Sequence, residues 1–558
     1  MKKISSFILA AAILGLTPIA DATPLKEYKP ETISRSTDRH KLIEDFRRVE
    51  KKDGQKLAKK PMMEPSSADN IIYEIDGKPV YYYKSATGYD YGSAYELSDF
   101  ATCIVYGENN DVYFYNILSL YSFNTFAKGT IEGNTITMQL PQAIVYLPNY
   151  DMEFDITVLK YDYEEQMYFP ADIDEITFTV DPETGEIEMN LPGEEGEYIL
   201  GYVDSLYNEW SYDGDVVQKY TPIPQEATSV PDGVETETYY FVEDNYGYPV
   251  EVGFDSEYLY IKGFSLDLLP YNTLRAKLNG NTADVVWDDF IGIYSGYQIY
   301  TEPAILNPDI DIDDYDSPLM VLAPSTSKFT LDIDLENKVI KTSETNDVYL
   351  LLNASLTEVL YLTGYTEFSM KTQDDFAGTP RNPYNLIVLD DYYEMYGYHS
   401  FIFNLPNIAT NGNVMKSADL YYNIYIDNML WDFEEDYDNG WYIGLGGPTF
   451  DIPSLLNNNN DIYIYNVLMH EIGIYIEGAT TYGVQSVYRY QGEETRSDII
   501  TINLENGVKS VSETGGVETK AEYYDLNGRK VNNPAKGIFI RRAVMNDGSV
   551  KVSKVIKK

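Results

Sequence analysis

The sequence predicts an all-β protein built from several modules, and three observations carry that expectation. Tyrosine dominates the aromatic residues, with 54 Tyr among 558 residues against 21 Phe and 4 Trp. Its ring packs on pleated, half-buried surfaces while its hydroxyl tolerates water. From residue 69 to 226 the apolar residues fall in short, often alternating runs, among them IIYEI, PVYYY, TCIVY, DVYFY, TITMQL and EITFTV. Turn signals such as Asp76-Gly77, Gly133-Asn134 and Glu183-Thr184-Gly185 separate these runs. No helix-period run longer than about two turns interrupts them. Such spacing is the signature of sandwiches and barrels. The expected architecture is a tandem pair of duplicated β-sandwich-like modules, a third sandwich and a small C-terminal β domain.

Residues 1–22 read as a secretory signal peptide. Lys2 and Lys3 precede a mostly apolar stretch, and Ala20-Asp21-Ala22 forms a small-residue cleavage site. The apolar run is too short and wrongly flanked for a stable span, and no later stretch is long and apolar enough to cross a bilayer as a helix. Residues 23–68 read as a basic arm or linker. Ser36-Thr37-Asp38 starts a helical pattern whose Leu42, Ile43, Phe46 and Val49 share one face, and Pro61 and Pro65 end it.

The centre of the chain is a duplication. DVYFYNILSLYSFNTFAKGTIEGNT at 111–135 is matched by EYLYIKGFSLDLLPYNTLRAKLNGNT at 257–282. The two stretches share an Asn-Thr step (Asn124-Thr125, Asn272-Thr273) and a Gly-Asn-Thr turn (Gly133, Gly280). Outside them Gly107 is matched with Gly253, and EITFTVDPETGEIEM at 175–189 with KFTLDIDLENKVIKT at 328–342. Module 1 is therefore expected over 69–226 and module 2 over 236–372, with the Pro-rich step from Thr221 to Gly233 between them. The acidic insertion NPDIDIDDYDSP interrupts module 2 at 307–318.

Charge is uneven. Residues 35–60 carry 10 Lys/Arg against 5 Asp/Glu, residues 520–558 carry 10 against 3, and the body between 61 and 519 carries 17 against 78. An acidic body repels nucleic acid and anionic lipid, so neither is an expected partner. The single cysteine, Cys103, lies in the apolar run ATCIVY, where it suits a small core position; no disulfide can form within the chain.

Residues 378–504 change pattern, with a Pro-rich entry, the LYYNIYIDN strand, and VQSVYRY followed by SDIITI. On those features the segment resembles a fibronectin type III-like sandwich. Residues 505–558 contain YYDLNGRKV, KGIFIRR and GSVKVSKVIKK, a turn followed by strands. This tail resembles the C-terminal sorting domain of type IX secretion cargo in the Bacteroidota. The resemblance implies export machinery as a partner and a destination at the outer cell surface or beyond it. As a whole the chain is similar to secreted Bacteroidota proteins of unassigned function with repeated β modules.

Candidate chemistry is sparse. His40, His399 and His470 lie far apart, and His470-Glu471 lacks the second His of a zinc protease motif. Asp309, Asp311, Asp313 and Asp314 alternate as calcium ligands do, without the glycine and the bidentate glutamate of an EF-hand loop, so calcium is the one candidate cofactor. No catalytic residue is nominated: 89 acids hide any glycosidase pair, and nucleophile-elbow and phosphate-loop motifs are missing. Aromatic side chains in loops are the candidate ligand contacts: Tyr89, Tyr91 and Tyr95; Tyr392, Tyr393 and Tyr396; and Trp431 with Trp441. The expected function is non-catalytic binding or adhesion, to glycan or protein, with the modules as spaced platforms. A polysaccharide hydrolase or its accessory subunit, and a purely structural surface protein, are the alternatives.

Overall fold

The structure, a computed structural model, describes residues 71–504, apart from 76, 91–92, 148–151, 205–212, 244, 269–270, 308–319, 390–398, 432–449, 457–461, 465–468 and 475–478, together with the backbone of four strands between 518 and 557. The chain divides into two compact units, Met1–Asp375 and Phe376–Lys558. It is almost entirely β, and no helix among the described residues is long and apolar enough to cross a membrane.

The first unit holds two closed eight-stranded barrels. In the first, Pro79–Asp90, Ser93–Tyr106, Asp111–Tyr115, Phe126–Glu132, Thr135–Gln139, Glu175–Val180, Ile187–Asn190 and Gly214–Pro222 pair in succession, and Gly214–Pro222 returns to Pro79–Asp90. In the second, Thr236–Glu243, Tyr246–Phe254, Tyr258–Lys262, Thr273–Asn279, Thr282–Val285, Thr330–Asp334, Val339–Thr342 and Ser369–Lys371 do the same. Each barrel carries further strands in the same chain position, continuous with the barrel sheet in the first, where Leu200 pairs with Asp215, and forming a separate sheet in the second. The first uses Gln142–Leu147, Met152–Asp162, Met167–Pro170 and Tyr198–Asp204; the second uses Phe290–Tyr294, Tyr297–Leu306, Met320–Leu322, Tyr349–Asn353 and Tyr361–Tyr365. Alternation explains the closure: inward residues such as Val112, Phe114, Ile136 and Phe178 fill the first barrel, and Leu259, Ile261, Ala283 and Leu331 fill the second, all fully buried.

Ladder register refines the sequence match. Tyr115 pairs with Phe126 and Lys262 with Thr273, so Thr125 answers to Asn272, and the two Asn-Thr steps sit one position out of step. Val105 pairs with Tyr113 and Gly253 with Tyr260, so Gly253 answers to Val105 rather than to Gly107. The Gly-Asn-Thr turns and the later hairpin keep their match. Short motifs made of Gly, Asn and Thr recur in turns for local reasons, so they align less reliably than the buried apolar positions.

The two barrels share a core instead of standing apart on a linker. Tyr81, Ala101, Cys103, Val105, Tyr115 and Phe126 of the first pack with Phe290 and Ile293 of the second. Ala101 N–H donates to Gly296 O at 2.7 Å, and Thr228 in the connecting segment donates to Phe290 O at 2.7 Å. Tyr83 OH donates to Gln298, and Tyr271 OH to the carbonyl of Ile75. The notion of spaced platforms thus fails for these two modules, because an apolar patch of this composition is driven out of water.

In the second unit, Tyr384–Leu389, His399–Asn404, Met469–Ile474 and Ile462–Ile464 form one sheet. Met429–Leu430, Leu420–Ile426, Thr481–Tyr490 and Glu493–Arg496 order a second. Phe401, Phe403 and Ile472 from one sheet meet Tyr422, Ile424, Tyr482 and Val484 from the other, as in a two-layer sandwich. Near the C-terminus, Lys530–Val531, Glu518–Tyr524, Gly537–Met545 and Val550–Lys557 form a four-stranded antiparallel sheet.

Candidate functional site

A concavity lies beside the barrel of module 1, at the hairpin KYDYEEQMYFPADI. Asp162 builds its turn: Oδ1 accepts the backbone N–H of Glu164 at 2.8 Å and of Glu165 at 3.1 Å. Strand alternation then puts Tyr161 and Tyr163 on one face. The Tyr161 ring lies edge-on to both Tyr163 and Tyr168, with centroids 5.1 Å away in each case. Tyr168 OH donates to Gly196 O at 2.7 Å and Tyr161 N–H to Glu197 O at 2.8 Å, which ties the 193–198 turn to the hairpin.

Between these elements opens a pocket of about 550 Å³. Tyr161, Phe169 and Tyr198 give it half-buried rings; Lys160, Asp162 and Asp172 give it charge. Lys160 Nζ lies 3.3 Å from Glu197 and 5.2 Å from the centroid of the Tyr198 ring. These contacts hold its ammonium above the usual lysine range. At the turn, Tyr163 is 76% exposed, a large aromatic surface left to solvent beside the pocket.

The duplicate serves as an internal control. Leu159 pairs with Pro170 and Ile199, and Ala304 pairs with Leu322 and Tyr349. Lys160, Tyr161, Phe169 and Tyr198 therefore answer to Ile305, Leu306, Val321 and Val348. Strand order is kept while the pocket's rings and charge are not. The fold accordingly does not require these side chains in module 1. In sequence the acidic insertion of module 2 lies between Leu306 and Met320, which pair with each other as Tyr161 does with Tyr168. Sequence reading missed the pocket because its tyrosines are two among 54; the hairpin signal was present, but nothing local marks it as concave.

The structure distributes the aromatic candidates differently from a row of exposed rings. Tyr89 is half-buried and packs behind the pocket, 6.0 Å from Tyr168. Tyr95 donates its OH to Asp215, a fully buried carboxylate. Trp431 packs against the sandwich core, with its backbone N–H on Ile424 O at 2.8 Å. Tyr91, Tyr392, Tyr393, Tyr396 and Trp441, and the calcium candidates Asp309, Asp311, Asp313 and Asp314, lie outside the described residues. Among the described residues no three His, Cys, Asp or Glu side chains gather as a metal site would need.

Asp215 anchors a second polar cluster, at the seam that closes the first barrel. It also accepts from Ser119 N at 2.9 Å and from Gln218 Nε2 at 2.7 Å. Lys84, buried alongside, donates Nζ to Ile117 O at 2.5 Å and lies 5.7 Å from the Tyr220 centroid. Burial pulls the Lys84 ammonium down to about 8, against the attraction of Asp215. Burial pushes the neighbouring Asp213 up to about 7, although Tyr121 OH donates to it. These bonds pin the 116–125 loop across the barrel end, where Ile117 and Leu118 are buried. His470 is also buried, with Nε2 2.8 Å from Ser454 O and its ring stacked on Phe403.

On fold and site together, this is a multi-module β protein whose described residues form an aromatic, charged pocket in the first of two duplicated barrel modules. Compared with known proteins, the chain matches no family model and no curated protein.

Proposed function

We propose that the protein is an exported, non-catalytic binding protein that works at the outer cell surface or outside the cell and takes a glycan through the module 1 pocket. The observation that carries this reading is the presence of Tyr161, Phe169 and Tyr198 around a pocket of about 550 Å³ where the duplicate has aliphatic residues. Volumes of roughly 300–1,000 Å³ suit small ligands, and partly exposed rings offer a stacking face to a sugar. Export rests on the signal-like residues 1–22 and the sorting-like tail 505–558; the fibronectin type III-like reading of 378–504 belongs to the same picture of a surface protein. The test is a glycan array probed with the full chain, with and without calcium. Binding to a defined set of sugars supports the proposal. No bound sugar, with capture of a protein ligand alone, would sink its glycan arm.

A further inference from the structure

Resting on that reading, we infer that the module 1 pocket is selective for an uncharged sugar ring and excludes glycans bearing uronic acid or sulfate. Charge decides the class. Asp162 and Asp172 line the pocket, and Glu164, Glu165 and Asp174 are exposed on the adjoining turn and strand approach. The one lining cation, Lys160, is already matched by Glu197 and covered on one side by the Tyr198 ring. An anionic ring entering here would meet carboxylates without a spare cation, inside a body whose net charge is strongly negative. A neutral ring meets none of that repulsion. Its C–H face stacks on Tyr161 or Tyr198, and its hydroxyls donate to carboxylate oxygens, which are acceptors only.

At the equivalent place module 2 carries Ile305, Leu306, Val321 and Val348, whose side chains offer no hydrogen bonds and no stacking face. That difference supplies the variants: Tyr161→Leu and Tyr198→Val install residues the second module carries at those positions.

The experiment is a calorimetric titration of the full chain with neutral cello-, xylo- and manno-oligosaccharides and with oligogalacturonate and a sulfated oligosaccharide. It is repeated on both variants, with thermal melting of each as a folding control. The expected result is one site per chain for a neutral probe, weakened roughly two- to tenfold in each variant, as loss of a stacking ring predicts. Tighter binding of an acidic probe, lost in the same variants, overturns the selectivity and leaves the binding function standing. Binding unchanged in both folded variants overturns the pocket as the site. Binding of no sugar at all overturns this inference and the glycan reading together.

Discussion

The ring of Tyr81 meets the ring of Phe290 edge-on, with centroids 4.9 Å apart and planes at 65°. One belongs to the first barrel and the other to the edge strand of the second barrel's sheet, so two modules that the sequence separates by a Pro-rich step are joined through a common core. Removing a fully buried phenylalanine from such a core costs about 3–5 kcal/mol. Phe290→Ala should therefore lower the stability of both barrels together, visible as a downward shift of one calorimetric transition for residues 71–375. Two separate transitions, with only the later one shifted, would contradict the joint core.

Gly296 makes the same junction possible. The two-residue turn Ser295-Gly296 has φ of 46° and 85°, a combination suited to a type I′ hairpin. A Cβ on Gly296 would lie 2.2 Å from the Phe100 ring. Gly296→Val is expected to break the contact at Ala101 and expose Cys103, which a thiol-reactive dye would report. Wild-type Cys103 should stay unlabelled until unfolding, because it is fully buried and burial pushes its thiol pKa up. Rapid labelling of the folded wild type would refute that burial.

The stability of the first unit should fall as pH rises through neutrality. Asp213 and Glu302 are held protonated by burial, with folded pKa values of about 7 and about 8 against 3.8 and 4.5 when unfolded. Their neutral forms favour the fold, so the contribution is complete below the unfolded values and is lost as pH rises towards the folded ones. Each group adds a slope of at most about 1.4 kcal/mol per pH unit. Glu302→Gln should flatten the decline in denaturation measured between pH 5 and 8. Lys84 acts in the opposite sense: its folded value of about 8 lies below 10.5, so between those limits the unfolded state holds more protons and stability climbs with pH.

Tyr95→Phe deletes the hydroxyl that donates to the buried Asp215 carboxylate. A hydrogen bond to a charged group contributes about 1.5–3 kcal/mol, and chemical denaturation should show a loss in that range. Unchanged stability would return Tyr95 to the list of residues free to meet a ligand.

The β class was legible because strand period and turn chemistry are local, written into runs such as DVYFY and TITMQL and into the Gly-Asn turns between them. The duplication was legible because a barrel must keep its inward residues apolar, so Phe178 and Leu331 survive as a matched pair while the Asn-Thr step shifts by one position and the Gly107–Gly253 match by two. Tyr95 and Cys103 show the limit from opposite sides. Cys103 sits in an apolar run and is buried as expected. Tyr95, expected in a Gly-rich loop, lies in the strand Ser93–Tyr106 and has its hydroxyl claimed by a residue 120 positions away.

By itself the sequence determined the kind of structure, its internal copying and the acidic character of its body, since these follow from periodicity and composition. Only the tertiary structure decided that each copy closes as a barrel, that the pair shares one core, and that the concavity belongs to module 1. Those outcomes depend on contacts between residues remote in the chain: the closing ladder from Tyr82 to Pro222, the rings of Tyr81 and Phe290, and the meeting of Tyr161 with the 193–198 turn. No window of neighbouring residues contains that information, because burial is settled by what arrives from elsewhere in the fold.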